Sequence, residues 1–325
     1  MKAWPLLALL LAGCGQNASP LADYPARLRY LLAMPEQNLE TPLLQKGGGR
    51  AWAQAVPTTT ISLRQTFALR HCGLLGLIGE RNGPLGKTAP PSQRFLYDLK
   101  LLDGLARCQP ADPELKALVA QLLEEKRQAL PAVAWQLVSD DEAFRANWRF
   151  DRAPMGDFAG LGEATALLHD LRELLKTPDP KRMARLEEEL GHFGEGRLLG
   201  RLNQALSDAR LELDAVTEAL EQGGPAVVCL NGHPGRQAKE VRDFFFSYYG
   251  KQVQPYLGDL VQTDRGLKGE LWPLIQALPH PDNPQIRFLA GTGEGTLSGD
   301  FLAALGRHTK AWQAFLGRCG LRPGQ

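Results

Sequence analysis

The sequence predicts a mostly α protein, a multi-helix bundle with long irregular loops and few or no strands. Two observations carry this. Leucines recur three and four residues apart, with charges between them, over 158–176, 180–193 and 196–222, the pattern of helices that bury one face. Alternating apolar and polar runs of strand type are scarce, so helices must supply the core.

Taken in order, Asp23–Met34 places Leu28, Leu31 and Leu32 on one side and reads as a short amphipathic helix. Residues 35–60 hold Pro35, Pro42, Gly47-Gly48-Gly49 and Pro57, which predicts an extended segment lying on the body with Trp52 as an anchor. Ser62 and Gln65 form a capping box for a helix over 62–82, ended by Asn82-Gly83. Ser92 is placed to cap the next helix, whose stripe of Phe95, Leu96, Leu99, Leu102 and Leu105 runs to Cys108. Asp112-Pro113 pairs an N-cap with a proline at the first helical position and starts a helix through about Leu130. Ser139 with Glu142 repeats the capping-box signal before Phe144 and Trp148.

After the three leucine-rich helices, Gly223-Gly224 is a stop, and Pro225–Leu230 is either a short strand or a buried loop. A helix after Gly235 carries Phe244, Phe245, Phe246, Tyr248 and Tyr249, and Pro255 should kink or break it. A helix from about Gly266 to Leu278 precedes the prolines at 279, 281 and 284, and a last one covers Ser298 to about Arg318. A weak division between helical groups is expected near 152–157.

The first fourteen residues decide compartment. Lys2 gives a positive start, Pro5–Ala12 is apolar, and Leu11-Ala12-Gly13-Cys14 closes the run. This is the build of a signal peptide over 1–13, too short to span a bilayer. It resembles the lipobox of bacterial lipoproteins. That resemblance implies diacylglyceryl on the Cys14 sulfur, a further acyl chain on the new amino terminus, and anchoring to a membrane by lipid alone. Residues 14–22 then form a lipidated flexible tether and 23–325 the helical body. Gly15 stands where the sorting pattern uses Asp for inner-membrane retention, which implies the outer membrane, facing the periplasm.

With 37 basic and 36 acidic side chains and 44% apolar residues, no charge field favours nucleic acid as a partner. Beyond Cys14 lie Cys72, Cys108, Cys229 and Cys319. In an exported chain an even number suggests disulfides, with three pairings open and free buried thiols as the competing reading. The sequential pairing, Cys72 with Cys108 and Cys229 with Cys319, is favoured. It meets a geometric difficulty. A symmetrical hairpin about residue 87 offsets Cys72 from Cys108 by about 9 Å along the axis, so the hairpin must be staggered or the second helix must end early.

Familiar catalytic patterns fail. Gly86-Lys87-Thr88 lacks the glycine a P-loop needs at Arg81 and follows a helix, not a strand. Gly291–Thr296 lacks the third glycine and the βαβ setting of a dinucleotide loop. No serine lies in GxSxG or precedes a lysine by three, and HExxH does not occur. His192 and Glu195 share a helical face but sit among Gly191, Gly194 and Gly196, which suits a helix end better than a metal platform. His233, in the turn beside Cys229, is equally weak as a ligand. No cofactor or metal is expected. The aromatic run at 244–249 could line a groove, although three consecutive phenylalanines cover most of a helix circumference and suit core packing.

The richest stretch is the connection 80–94, where polar residues crowd between two apolar helices. Arg81, Lys87 and Arg94 could converge on an anionic group, with Asn82 and Ser92 as hydrogen-bond partners. The structural reading is that Asn82-Gly83 stops a helix, Ser92 starts one, and the arginines satisfy helix-end carbonyls or Glu80. Leu77-Ile78, Glu80-Arg81-Asn82, Leu85-Gly86-Lys87 and Pro91-Ser92-Gln93-Arg94, with Cys72, Leu74, Cys108 and the lipobox, resemble DUF3080, a family of proteobacterial lipoproteins. The match is sharpest over 61–108 and departs at Gly83-Pro84, where small polar residues are expected. The resemblance implies a Gram-negative envelope protein and brings no activity with it. The expectation is therefore a non-enzymatic binding or assembly factor with an envelope protein as a possible partner. A hydrolase of cell-wall, glycan or lipid material and a small-ligand or metal capture protein are the alternatives.

Overall fold

The computed structural model describes residues 19–150, 155–156, 158–230, 233–280 and 282–321. The leader, Cys14 and most of the expected division near 152–157 lie outside them. The elements run α1 Tyr24–Leu31, α2 Leu63–Ala68, α3 Leu75–Asn82, α4 Pro84–Lys87, α5 Pro91–Arg107, α6 Pro113–Asp140, α7 Glu142–Asn147, α8 Leu161–Lys176, α9 Pro180–Gly196 and α10 Leu198–Gly223. A two-residue antiparallel pair follows, β1 Cys229–Leu230 with β2 His233–Pro234. Then come α11 Arg236–Phe244, a π-helical segment Phe245–Val253, α12 Gln254–Gln276, α13 Pro284–Ala290 and α14 Leu297–Arg318. The mostly α expectation is met. Among the described residues no helix is long and apolar enough to cross a membrane.

Helix α10 is the hub. Leu199, Leu202, Leu206, Ala209, Leu213, Val216 and Ala219 are fully buried, and it packs against α14, α1, α12 and α7. A helix apolar on several sides must be covered on several sides. Around it α8 packs on α12 and α9, and α5 pairs with α6. This large core takes residues from Leu21 to Leu321. A second, smaller one joins Leu69, Leu74 and Ile78 to Leu101, Leu105, Leu115, Val119 and Leu122.

The segment 35–60 is extended except for a 3-10 turn at Gly49–Trp52, as expected. Trp52 anchors it: fully buried, its ring meets Trp148 edge-on at 4.9 Å, and its carbonyl accepts from Trp135 Nε1 at 2.7 Å. Gln285 Nε2 donates to the Gln45 and Lys46 carbonyls, and Leu44 N donates to Gln204 Oε1. The strap thus has side-chain partners for backbone groups that no sheet or helix serves.

Several boundaries differ from the sequence reading. The helix over 62–82 is broken. Its Ser62–Gln65 capping box is present, but Leu69–Cys72 is 3-10 and Gly73 takes φ 69°, a left-handed turn that glycine adopts without a Cβ clash. Ser92 is not a cap: α5 starts at Pro91, and Ser92 N donates to Asp141 Oδ2. Ser139 is buried inside α6, and Asp141 caps α7 by accepting from Ala143 N. Helix α6 runs through Pro131 because Leu130, Val133, Ala134 and Trp135 are buried around it. Their burial outweighs the roughly 3 kcal/mol that an interior proline costs. Pro255 likewise neither breaks nor ends its helix: the π segment ends at Val253 and passes directly into α12, with Val253 and Gln254 both in helical conformation. Helix α12 therefore starts at Gln254 rather than near 266, and α13 was not foreseen.

The disulfides pair sequentially, Cys72–Cys108 with Cα atoms 5.2 Å apart and Cys229–Cys319 at 5.4 Å. The hairpin difficulty is resolved by the break at Gly73 and by α5 ending at Arg107, which leaves Cys108 extended.

Two buried polar groups of the core were not foreseen. Lys268 Nζ, fully buried on α12, donates to Ser298 Oγ at 2.9 Å and lies 3.2 Å from Asp264 Oδ1, while Ser298 donates to Asp264 at 2.8 Å. Burial lowers the Lys268 pKa and Asp264 opposes that. Glu212 on α10 is 8% exposed; burial, with Asp208 adding, pushes its carboxyl up to about 8. Its folded-state value exceeds the unfolded one of about 4.3, so the fold holds the proton between them. Stability is expected to fall as pH rises from about 4.3 through 8. Thermal melts of Glu212→Gln should lose this slope; a variant with the wild-type slope would show that Glu212 is solvated.

Candidate functional site

The connection 80–94 folds back on itself. Asn82 ends α3, Gly83 is extended, and Pro84 opens the single turn of α4. A Cβ on Gly86 would collide with the Glu80 and Arg81 carbonyl oxygens, so only glycine lets the turn close against the end of α3. Arg81 Nη1 then donates to the Gly86 carbonyl at 2.5 Å and is fixed across the turn. Arg94, in the first turn of α5, is held from the other side by Gln136 Oε1 at 3.2 Å. One nitrogen of each guanidinium is spent this way, which leaves further donors on both forks.

Between them lies a cavity of about 220 Å³. Its floor is apolar, from Leu69, Ile78, Leu101, Leu105 and Leu122, and Thr58 and Thr59 of the strap close one side. Arg81, Asn82, Lys87 and Arg94 line it, so four of the five candidate residues meet at one place. Ser92 does not line it. Asn82 and Lys87 are exposed at the rim, whereas Arg81 and Arg94 are half-buried.

Five polar lining residues, Thr58, Thr59, Tyr97, Asp98 and Lys126, escaped the sequence reading. Asp98 is 4% exposed and accepts from Lys126 Nζ at 2.9 Å, a bridge from α5 to α6, and Tyr97 is adjacent. A signal existed, because Asp98 interrupts the apolar stripe between Phe95 and Leu102 and a buried carboxylate needs a partner.

The electrostatics are lopsided. Arg81, Lys87, Arg94 and Lys126 face one carboxylate, Asp98, among the described lining residues. Burial lowers the Arg94 pKa; Asp98 opposes this and Arg81, a like charge, adds to it. Burial, with Asp98 adding, pushes the Tyr97 hydroxyl up to about 12, so it remains a neutral donor at physiological pH. Four cations face a single carboxylate that already pairs with Lys126, an excess that favours an incoming anion, which relieves the remaining repulsion and takes up the unspent N–H groups. Thr58 and Thr59 add hydroxyls. His192 and Glu195 lie at the end of α9, and no group of three or more potential metal ligands occurs among the described residues.

The family profile described as "Protein of unknown function (DUF3080)" matches residues 21–323. The chain belongs to the DUF3080 family. No curated protein and no solved structure matches it. In this DUF3080 protein the family match takes in both disulfides and every residue lining the cavity, and it begins beyond Cys14.

Proposed function

We propose that this DUF3080 protein is a periplasm-facing envelope lipoprotein, anchored at the outer membrane through lipid on Cys14, that acts as a binding or assembly factor by receiving an anionic group in the 80–94 cavity. The supporting observation is the convergence of Arg81 and Arg94, each already oriented by one hydrogen bond, on a cavity whose carboxylate is occupied by Lys126. Pre-oriented forks lose little side-chain freedom on binding and match the paired oxygens of a carboxylate or phosphate. The lining supplies fixed charge and donors, which suits holding a partner group.

The test is in living cells. A photoreactive residue at position 83 or 87 of the full-length protein should capture one reproducible adduct, reduced at least tenfold by Arg81→Gln combined with Arg94→Gln. The membrane-extracted protein should carry diacylglyceryl and acyl mass on its Cys14 peptide, and Cys14→Ser should leave the membrane fraction. An adduct unaffected by the arginine changes would defeat the anion site; an unmodified Cys14 in membrane-bound protein would defeat the anchor.

A further inference from the structure

A second recess lies between the π-helical segment and α14, with a volume of about 600 Å³. It shares no lining residue with the cationic cavity. Phe245, Tyr249 and Trp312 form its wall, and the exposed side chains of Gln254, Thr309 and Gln313 border it. The Phe245 ring lies 5.2 Å from Tyr249 in a stack and 4.8 Å from Trp312 at a tilt of 49°. The three rings form one continuous aromatic surface.

The backbone beneath is unusual. Phe245–Val253 is π-helical over nine residues, whereas π geometry ordinarily appears as single-turn bulges, often at functional sites. The wider turn brings side chains four apart nearly into line. Phe244 stacks on Tyr248, and Phe245 on Tyr249, both at 5.2 Å. Phe244 stacks in turn on the buried Tyr24 at 5.8 Å, Tyr248 meets it at a tilt at 6.0 Å, and Tyr249 stacks on it at 5.9 Å. Tyr249 thus joins the core to the recess, where Phe245 is the more exposed of the two rings.

Among the described residues the lining carries no charged side chain. The Trp312 Nε1–H is committed to Tyr24 Oη at 2.8 Å, so Trp312 offers the recess hydrocarbon ring surface alone. What remains is an aromatic wall with Leu316 beside it, two carboxamides able to donate and accept, and the Thr309 hydroxyl, which gives its proton to the Leu305 carbonyl and is left as an acceptor. That combination suits a pyranose. Its C–H face packs on aromatic rings, while its hydroxyls need neutral partners of both kinds. An anion would find no cation here, and an acyl chain would use the rings and Leu316 but leave the bordering amide and hydroxyl groups unengaged. We propose that this recess binds a neutral oligosaccharide of roughly two or three rings, a size consistent with the usual span of ligand pockets.

The experiment is saturation-transfer NMR on the full-length protein in a detergent without a sugar headgroup, with chitotriose and maltotriose as separate probes. Irradiation of aromatic protons should saturate the ring C–H protons of at least one probe. The combined Gln254→Ala and Gln313→Ala variant, changed only at exposed side chains, should bind at least fivefold more weakly while melting at the wild-type temperature. Absence of transfer to both probes from the folded protein would overturn the inference. So would transfer of wild-type strength in the variant, which would place the sugar elsewhere. Displacement of the bound probe by octanoate at millimolar concentration would assign the recess to acyl chains and overturn it as well.

Discussion

A protein carrying Cys72→Ala and Cys108→Ala is expected to lose amide protection across residues 62–88 while the core around α10 keeps its own. Helices α2 and α3 lean on the smaller core and α4 on α3, leaving Leu63, Phe67 and Leu85 largely in water, Leu85 at 87%. A cluster of that size supplies little more than the chain entropy it must offset. The disulfide spans 36 positions and removes about 3 to 4 kcal/mol of loop-closure freedom from the unfolded segment. Hydrogen exchange read by mass spectrometry would show 62–88 exchanging orders of magnitude faster in the double variant. Unchanged protection there would mean that packing alone holds the segment. Arg81, Asn82 and Lys87 sit on it, so the cationic cavity should vanish with it, and anion binding should become sensitive to reductant.

Lys268→Ala is expected to cost about 3 to 5 kcal/mol, read from the midpoint of urea unfolding. The change deletes the cation and leaves Asp264, 6% exposed, with only the Ser298 hydroxyl, and a buried charge without its counter-ion is among the most damaging single defects. Lys268→Met keeps the stem's packing but removes the same charge, so it should recover only the part due to lost volume. A loss below about 1 kcal/mol in Lys268→Ala would show that Asp264 takes up a proton or water instead.

How far the sequence could lead depended on whether a signal was local. The Ser62–Gln65 box, the Asp112-Pro113 start and the Gly223 stop are decided within a few residues, and each was legible. Pro131 and Pro255 were harder. A proline penalty is local, whereas the burial that overrides it around Leu130, Val133, Val253 and Leu257 comes from helices far away in sequence. Ser92 and Ser139 had the right residue types for caps, but Asp141, contacting both Ser92 N and Ala143 N, serves that corner instead. At the cavity, Arg81, Asn82, Lys87 and Arg94 were legible because one short connection carries them all. Asp98 and Lys126 were not, since their pairing needs α5 against α6. The recess was only half legible: the aromatic run stood out, but the π register that sets Phe245 and Tyr249 against α14 leaves no mark on composition.

The contact of Tyr24 with His308 joins residues 284 positions apart, and Trp312 completes the same hydrogen-bonded group. A ribosome adds about 5 to 20 residues per second, so Tyr24 emerges on the order of 15 to 60 s before its partners. During that interval Leu21, Tyr24 and Leu28 have no finished surface to settle against. A chain stalled before α14 would therefore present a greasy amino-terminal helix to whatever chaperone or protease is at hand, and quality control could recognise truncated copies by that exposed end.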